Sequence, residues 1–485
     1  MDLGHSTFRL FLSKGGNAIL YFLGLAYFSR HLTPDEMGAF VLFLAVLGIS
    51  SIPADFGIKG ALEKRLSEGT DPEKTLGSAL AFKAVTLAAV ATIVLAVRGH
   101  INHYIGAPLA ELLVAALFFR EFSFAYLSAL RGRLRVAETA VIKLTVRFVW
   151  MVGGAVLVTA GFGPEGPIIG LIAGLAVGLV WAYRRLDVGI GRPSLDHVRS
   201  LVAFSKYNTV TSVGGRFYQW VDIAIIGFLL TQLDVSAYEF AWQITLLVLM
   251  LSKSISLSIF PQISQWDAES ATDHIETTVS KAIGVVLFVS VPAIVGVQIY
   301  GAELLRVAFG PEYAFATTVL VVLMVEKLIQ SFNDIVEASV RAIDRPELAA
   351  KATVISVGLN LVLNPVLILW VGLVGAAIAT AVTGLLNTAL HYRYLTRFIS
   401  VDVPFRLVGW YGLASCVMGG LLLGIRHLVP VTGVITLVAE VGLGVVIYLA
   451  VSLAIPDVRR RILRPGLRVL GAQLGVGADG EGRRF

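Results

Sequence analysis

The sequence predicts an all-α membrane protein of about 14 transmembrane helices. Two parallel six-helix bundles are expected in a V-shaped, alternating-access arrangement, with two extra helices at the C-terminal end. Three observations carry this. Apolar residues make up 56% of the chain and charged residues only 15%. Apolar runs long enough to cross a hydrocarbon core as helices recur from end to end. The chain also repeats itself: Ser13-Lys14 returns as Ser205-Lys206, Arg131 as Arg341, and Tyr183-Arg184-Arg185-Leu186 as Tyr392-Arg393-Tyr394-Leu395, at offsets of 192, 210 and 209 residues. A duplicated membrane unit of this length points to a transporter with its site between the halves.

In order, the helices are expected over 10–29, 36–57, 76–97, 109–130, 140–161, 165–185, 203–229, 235–259, 278–300, 315–340, 349–370, 372–394, 405–426 and 431–454. The first is expected to belong to the mature chain, because Met1 to Leu10 lacks a cationic leader with a short apolar core and a cleavage site. An even number of helices per repeat makes the two repeats parallel. The organisation that follows is a first bundle over 1–186, a cytoplasmic linker over 187–202 with Gly191-Arg192-Pro193 as the hinge, and a second bundle over 203–396. The extra helices occupy 397–456 and a basic cytoplasmic tail 457–485, whose end from Gly475 is expected to be disordered. Gly170, Gly174 and Gly178 form a ridge that lets a neighbouring backbone approach.

Charge sets the orientation. With the N-terminus inside, the cytoplasmic segments hold Lys59, Lys64, Arg65, Lys74, Arg131, Arg133, Arg135, Arg184, Arg185, Arg341, Arg345, Arg393 and Arg397, and the tail adds Arg459 to Arg461. The opposite side holds Arg30, Arg98, Arg306 and Arg426. Both termini are therefore expected in the cytoplasm of a multi-pass plasma-membrane protein. The connection from Pro261 to Thr277 is the acidic exception. The net charge of +6 is a topology signal, and no soluble basic domain exists to bind nucleic acid. Cys416, alone, excludes an internal disulfide and reads as an apolar filler. His100 and His103 have no third ligand nearby and read as solvated loop histidines. No phosphate-binding Gly-x-x-x-x-Gly-Lys-Ser/Thr stretch is present, so the chain is not expected to hydrolyse ATP.

Charged side chains at bilayer depth cost about 2.5–3.5 kcal/mol each, so they face a cavity or a partner. In the helix over 315–340, Glu326, Gln330, Asn333, Asp334, Glu337 and Arg341 fall within about 100° of arc over roughly 22 Å. They read as a cavity wall, with interhelical hydrogen bonds as the alternative. The repeat sets Arg120 opposite Gln330, so the first half keeps the helix without those acids. Lys14, Lys83, Lys143 and Arg147 come from its other helices, with Glu121 able to neutralise one of them. Lys83 and Lys143, near helix ends, either snorkel to the headgroups or face the lumen. In the matched helices, Lys14 and Gly24 correspond to Lys206 and Arg216. Asp222 lies about 120° around its helix from Arg216 and either meets another helix or bounds an ion site. The expected cationic substrate site is Lys14, Arg120, Lys143, Arg147, Lys206 and Arg216. The expected coupling-ion or cavity-lining set is Asp222, Glu326, Gln330, Asn333, Asp334 and Glu337. Guanidinium groups suit phosphate or sugar carboxylate, and the carboxylates suit Na+ or a proton; no other cofactor is implied, and no metal site.

Asn360-Leu-Val-Leu-Asn364-Pro365, Gly372, and Gly375-Ala-Ala-Ile-Ala-Thr380 resemble the polysaccharide flippase family of the multidrug/oligosaccharidyl-lipid/polysaccharide exporter superfamily. Arg30-His-Leu-Thr-Pro34-Asp-Glu-Met-Gly38 and Arg216 with Val221-Asp222-Ile223 agree, and the resemblance covers essentially the whole chain. It implies a non-enzymatic flippase that turns a polyprenyl-diphosphate-linked oligosaccharide to the outer leaflet by cation-coupled alternating access. Its partners would be that lipid, membrane lipids and glycan-assembly proteins of the same pathway. By analogy, the last two helices would groove the polyprenyl tail. The alternative is a cation-coupled exporter of small amphipathic cations held by Glu326, Asp334 and Glu337. A glycan polymerase would need catalytic groups on a sizeable outer loop, and the outer connections here are short.

Overall fold

The computed structural model of the chain describes the backbone of residues 3–69 and 71–463, and their side chains apart from 3–14 and 206–219. The described residues form helices and no strand. In order these are α1 (Leu3–His31), α2 (Pro34–Asp55), α3 (Ile58–Glu68), α4 (Pro72–Ala96), α5 (Arg98–Ile105), α6 (Ala110–Gly132), α7 (Val136–Thr159), α8 (Glu165–Arg185) and α9 (Leu195–Leu229). They continue as α10 (Gln232–Ala268), α11 (Thr272–Ala308), α12 (Thr317–Ala342), α13 (Pro346–Val371), α14 (Leu373–Leu395), α15 (Phe405–Leu428), α16 (Val434–Ala454) and α17 (Pro456–Val458). Every predicted span falls on one of these helices. Among the described residues 12 helices are long and apolar enough to cross a membrane. The other two predicted spans fall on α1 and α9, where part of the side chains lies outside the described set. So does the expected disorder from Gly475.

Three segments read as connections are helical. The stretch after Asp55 is α3, because Phe56 and Gly57 take left-handed backbone (φ 45° and 71°), end α2 and restart a helix. Its apolar side, Ile58, Ala61, Leu62 and Leu66, is buried with Ala125, Ala129 and Leu201. The outer stretch from Arg98 is α5. Most of the acidic connection from Pro261 extends α10 and α11, which run 37 residues each. Cys416 is exposed on α15 rather than packed inside.

The repeat is visible in the backbone. After Arg131 and after Arg341 the chain turns through a left-handed residue, Leu134 (φ 61°) and Asp344 (φ 56°). The Arg135 N–H donates to the Leu130 carbonyl at 2.9 Å, and the Arg345 N–H to the Val340 carbonyl at 3.2 Å. The pairs Leu130 and Val340, Leu134 and Asp344, and Arg135 and Arg345 all keep the 210-residue offset of Arg131 and Arg341. This closing bond satisfies a helix-end carbonyl and fixes the exit angle of each helix.

The chain divides into two compact units, Met1–Phe240 with Asn364–Ala376, and Ala241–Leu363 with Ala377–Phe485. In the first, Thr33 and Glu36 make a capping box that starts α2 with Pro34 in its first turn. Gly38 lies so close to Gln232 that a Cβ there would stand 2.3 Å from the Gln232 carbonyl oxygen. The glycines of α8 serve the same purpose against α7: a Cβ on Gly170 would meet the Gly154 nitrogen at 2.5 Å, and one on Gly174 the Val146 carbonyl oxygen at 2.5 Å. The segment after α8 is strapped to α4 through Gly191 N–H to the Glu73 carbonyl, 2.9 Å. In the second unit, buried residues of α11 (Val286, Phe288) pack with α15 (Tyr411, Met418) and α16 (Leu437, Tyr448). The Tyr448 hydroxyl donates to the Phe288 carbonyl at 2.8 Å.

Gly174→Val forces side-chain atoms into the α7 backbone, and overpacking of this kind costs about 1–3 kcal/mol. The thermal midpoint of the purified protein in nanodiscs should fall clearly. Gly442→Ala, where nothing lies within 4 Å, should leave it unchanged; equal midpoints for the two variants would refute the close packing of α7 and α8.

Candidate functional site

The site grows from four charges gathered inside the first unit. The break after α2 brings Lys59 back beside Asp55, one turn away across the interruption, at 3.6 Å. From α4, Lys83 reaches Asp55 at 2.9 Å and, on α6, Glu121 at 2.6 Å. Lys59 also meets Glu121 at 3.2 Å. Lys83 and Glu121 are fully buried. Two cations and two carboxylates thus neutralise one another where an unpaired charge would be strongly disfavoured. Lys83 sits near the middle of α4 inside this cluster, which corrects the expectation that it snorkels or faces the lumen. Glu121 neutralises both lysines.

Beside this cluster lies a cavity of about 360 Å³. Four basic residues line it, Lys59, Arg120, Arg131 and Lys143, together with Phe124 and Trp220, and no carboxylate is among its described lining residues. The Lys59 ammonium and the Arg120 guanidinium both stand over the Phe124 ring, 4.7 and 5.8 Å from its centre. Arg131 is held by Glu63 at 2.7 Å and by Ser128 at 2.9 Å. Gly48 gives Trp220 its place, since a Cβ there would lie 2.5 Å from the indole nitrogen. A cavity with basic walls and aromatic flanks fits a multiply charged oxyanion.

Of the expected cationic set, Arg120 and Lys143 line this cavity together. Arg147 belongs to a neighbouring aromatic cluster: its Nε donates to Asn17 at 2.9 Å, and its guanidinium lies 4.5 Å from the Tyr21 ring and 5.0 Å from that of Trp150. The side chains of Lys14, Lys206 and Arg216 lie outside the described residues. Sequence reasoning missed Lys59 and Arg131 as lining residues because both were counted as cytoplasmic loop charges. The signal for Lys59 was an acid four residues earlier, Asp55, at the end of an apolar run.

The acidic set divides. Asp222 accepts a hydrogen bond from the Tyr238 hydroxyl at 2.9 Å and another from the Asn364 amide. It therefore meets other helices, and the second asparagine of the Asn360…Asn364 pair is its partner. The rest lie in the second unit along α12. Glu326 is buried in an ion pair with Lys327 at 2.6 Å, and Lys327 also donates to Gln330 at 3.0 Å and stands 3.3 Å from the Trp242 ring centre. Asp334 accepts from Ser252 at 2.6 Å. Asn333 donates to Glu337 at 3.5 Å, and Glu337 meets Arg341 at 3.6 Å. Lys327, which the sequence reading passed over, supplies the counter-charge inside this stripe. No group of three or more metal-ligating side chains occurs among the described residues.

Comparison with known proteins gives a consistent picture. A polysaccharide biosynthesis protein family matches residues 27–318. The chain is 39% identical to the probable low-salt glycan biosynthesis flippase Agl15 of Haloferax volcanii, over 97% of this chain and 100% of that protein. It is 27% identical to the probable flippase AglR of the same organism, over 90% and 93%. Among solved structures, the lipid II flippase MurJ in an inward closed conformation superposes with a TM-score of 0.78 over 92% of this chain and 98% of that one, at 15% identity. An inward-facing multidrug resistance MATE family transporter of the MOP superfamily gives 0.62 over 79% and 96%, at 16% identity. At such identities the two structures establish a shared fold. The named relatives are transporters, and the chain shares their non-enzymatic, multi-pass character.

Lys83→Met takes from Asp55 and Glu121 the cation that stands nearest to both. Removing one partner of a buried ion cluster costs about 3–5 kcal/mol, which should appear as a large drop in thermal midpoint in nanodiscs. Arg98→Met, at an exposed pair with Glu111 3.4 Å away, should be nearly silent. A silent Lys83→Met would show that the buried cluster does not stabilise the unit.

Proposed function

The chain belongs to the polysaccharide biosynthesis protein family, and from that premise we propose that it is a flippase for a polyprenyl-diphosphate-linked oligosaccharide. It moves this lipid from the cytoplasmic to the outer leaflet of the plasma membrane, for the assembly of cell-surface polysaccharide or glycoprotein glycans. The observation that carries the reading is the cavity whose described lining holds Lys59, Arg120, Arg131 and Lys143 and no carboxylate. A diphosphate is the part of such a lipid that gains most from this wall, through charge-assisted hydrogen bonds. The names of the relatives from Haloferax volcanii support the class of substrate. Arg216, Lys14 and Lys206 join the cationic site in this proposal.

Transport proceeds by alternating access with Na+ or a proton as the driving ion, and both termini face the cytoplasm. Asp222, with Tyr238 and Asn364 around it, is the first candidate to sense that ion, because it is a buried carboxylate in the same unit as the cavity. The half-buried Asp334 and Glu337 of α12 favour a second reading, an exporter of small amphipathic cations, and the same experiment separates the two.

In liposomes carrying a fluorescent polyprenyl-diphosphate oligosaccharide in one leaflet, the wild type should move it to the other, faster under a Na+ or proton gradient. Arg120→Gln and Arg216→Ala should each slow this by at least roughly tenfold, the scale of losing one charged hydrogen bond. Unchanged rates would remove these arginines from the site. No movement of the lipid, together with gradient-driven efflux of a lipophilic cation, would establish the exporter instead.

A further inference from the structure

Lys59 belongs to two sites at once. Its side chain lines the cavity, and its ammonium is also a member of the buried ion cluster behind the wall. Within that cluster the two lysines are held unequally. Lys83, with no exposed surface, sits 2.6 Å from Glu121 and 2.9 Å from Asp55. Lys59 keeps 11% of its side chain accessible and stands further off, 3.2 Å from Glu121 and 3.6 Å from Asp55. The inner cation is locked and the outer one is shared with the cavity.

We propose that Glu121, backed by Asp55, is a built-in counter-anion that competes with the substrate's phosphates for Lys59. The proposal rests on reading the cavity as the headgroup site. Binding is then an exchange of anions at Lys59 rather than a simple addition of one. When a phosphate oxygen takes the ammonium, the described members of the cluster, Lys83, Asp55 and Glu121, are left with one net negative charge next to Arg120. The incoming group must therefore offer more than the single charge that it displaces. A diphosphate does so, while the singly charged phosphodiester of a bulk membrane lipid merely trades one anion for another. Glu121 thus acts as a specificity residue, selecting multiply charged headgroups from a membrane full of singly charged ones. When the headgroup has to leave, the same carboxylate reclaims Lys59, so selection and release share one device.

The test is calorimetric binding of two probes, inorganic pyrophosphate and dimethyl phosphate, to the full chain in nanodiscs, alongside the liposome flipping assay. Glu121→Gln removes the competitor. It should bind pyrophosphate roughly tenfold more tightly, the scale of a close charge pair. It should also lose part of its preference over dimethyl phosphate and flip lipid more slowly because release is slowed. Adding Lys59→Met should erase the gain. If Glu121→Gln does not fold, Asp55→Asn removes the other anion facing Lys59 and leaves Lys83 to Glu121, and tightening in the same direction is expected. Unchanged or weaker pyrophosphate binding by whichever of the two variants folds overturns the proposal, as does a gain that survives the loss of Lys59. Both results leave the flippase reading intact while the wild type binds pyrophosphate. A wild type that binds no pyrophosphate and flips no lipid overturns the headgroup reading, and this inference with it.

Discussion

Inside a membrane protein a charge must find its counter-charge within a few ångströms, and the end of α2 shows how much structure that demand can organise. Asp55 is the last residue of the helix. The two left-handed residues after it turn the chain back, so that Lys59 returns to the same spot from α3. Lys83 and Glu121 complete the set from α4 and α6. Four helices are thereby tied at one point, where the charges add to the apolar packing of Ile58 and Leu62 with Leu76 and Ala125. Because Glu121 must face inward to meet Lys83, its neighbour Arg120 is turned toward the cavity, and Phe124, one turn on, becomes the ring beneath both Arg120 and Lys59. The part of the basic wall made by Lys59 and Arg120 is a consequence of where the buried acids stand.

The second unit obeys the same rule with different residues. On α12 the buried pair is Glu326 with Lys327, adjacent in sequence and packed against Trp242. At the 210-residue offset these positions fall on Ala116 and Leu117, both apolar. The duplication therefore preserved the backbone joint, with Leu134 and Asp344 in the same left-handed turn, while the buried charges diverged. This is physically reasonable. A turn is fixed by local geometry, which both copies inherit, whereas an ion cluster depends on partners from several helices and changes when any one of them does. Symmetry in the scaffold and asymmetry in the polar interior follow from that difference.

What the sequence made readable follows from the same distinction. The helices could be placed because each carries its own apolar length, and Arg120 and Lys143 stood out as charges within apolar stretches. The α3 helix was hidden, since a short segment rich in Lys and Glu reads as a loop. Counting positive charge near the ends of apolar runs then absorbed Lys59 into the cytoplasmic total. Lys83 was misplaced because its helix starts at Pro72, earlier than hydropathy suggested, which moves the lysine from the end toward the middle. Its partners lie 28 and 38 residues away in sequence, beyond any helical periodicity. Asp222 posed the converse problem: the sequence showed that it could not pair with Arg216, but Asn364, 142 residues on, becomes visible as its partner only when the chain is folded.

The size of the cavity bears on what is recognised. About 360 Å³ lies near the lower end of the roughly 300–1,000 Å³ that small-molecule sites occupy. On the proposed reading it holds a diphosphate and its nearest atoms, leaving most of an oligosaccharide and all of a polyprenyl chain outside its walls. Its described lining offers cations and rings but few neutral hydrogen-bonding groups of the kind that distinguish one sugar hydroxyl from another. Recognition concentrated on the diphosphate would make the first unit indifferent to much of the glycan's identity, while keeping it strict about charge. That division suits a carrier whose cargo varies at the sugar end and is constant at the phosphate, and it places the burden of discrimination on the few side chains that set the charge balance around Lys59.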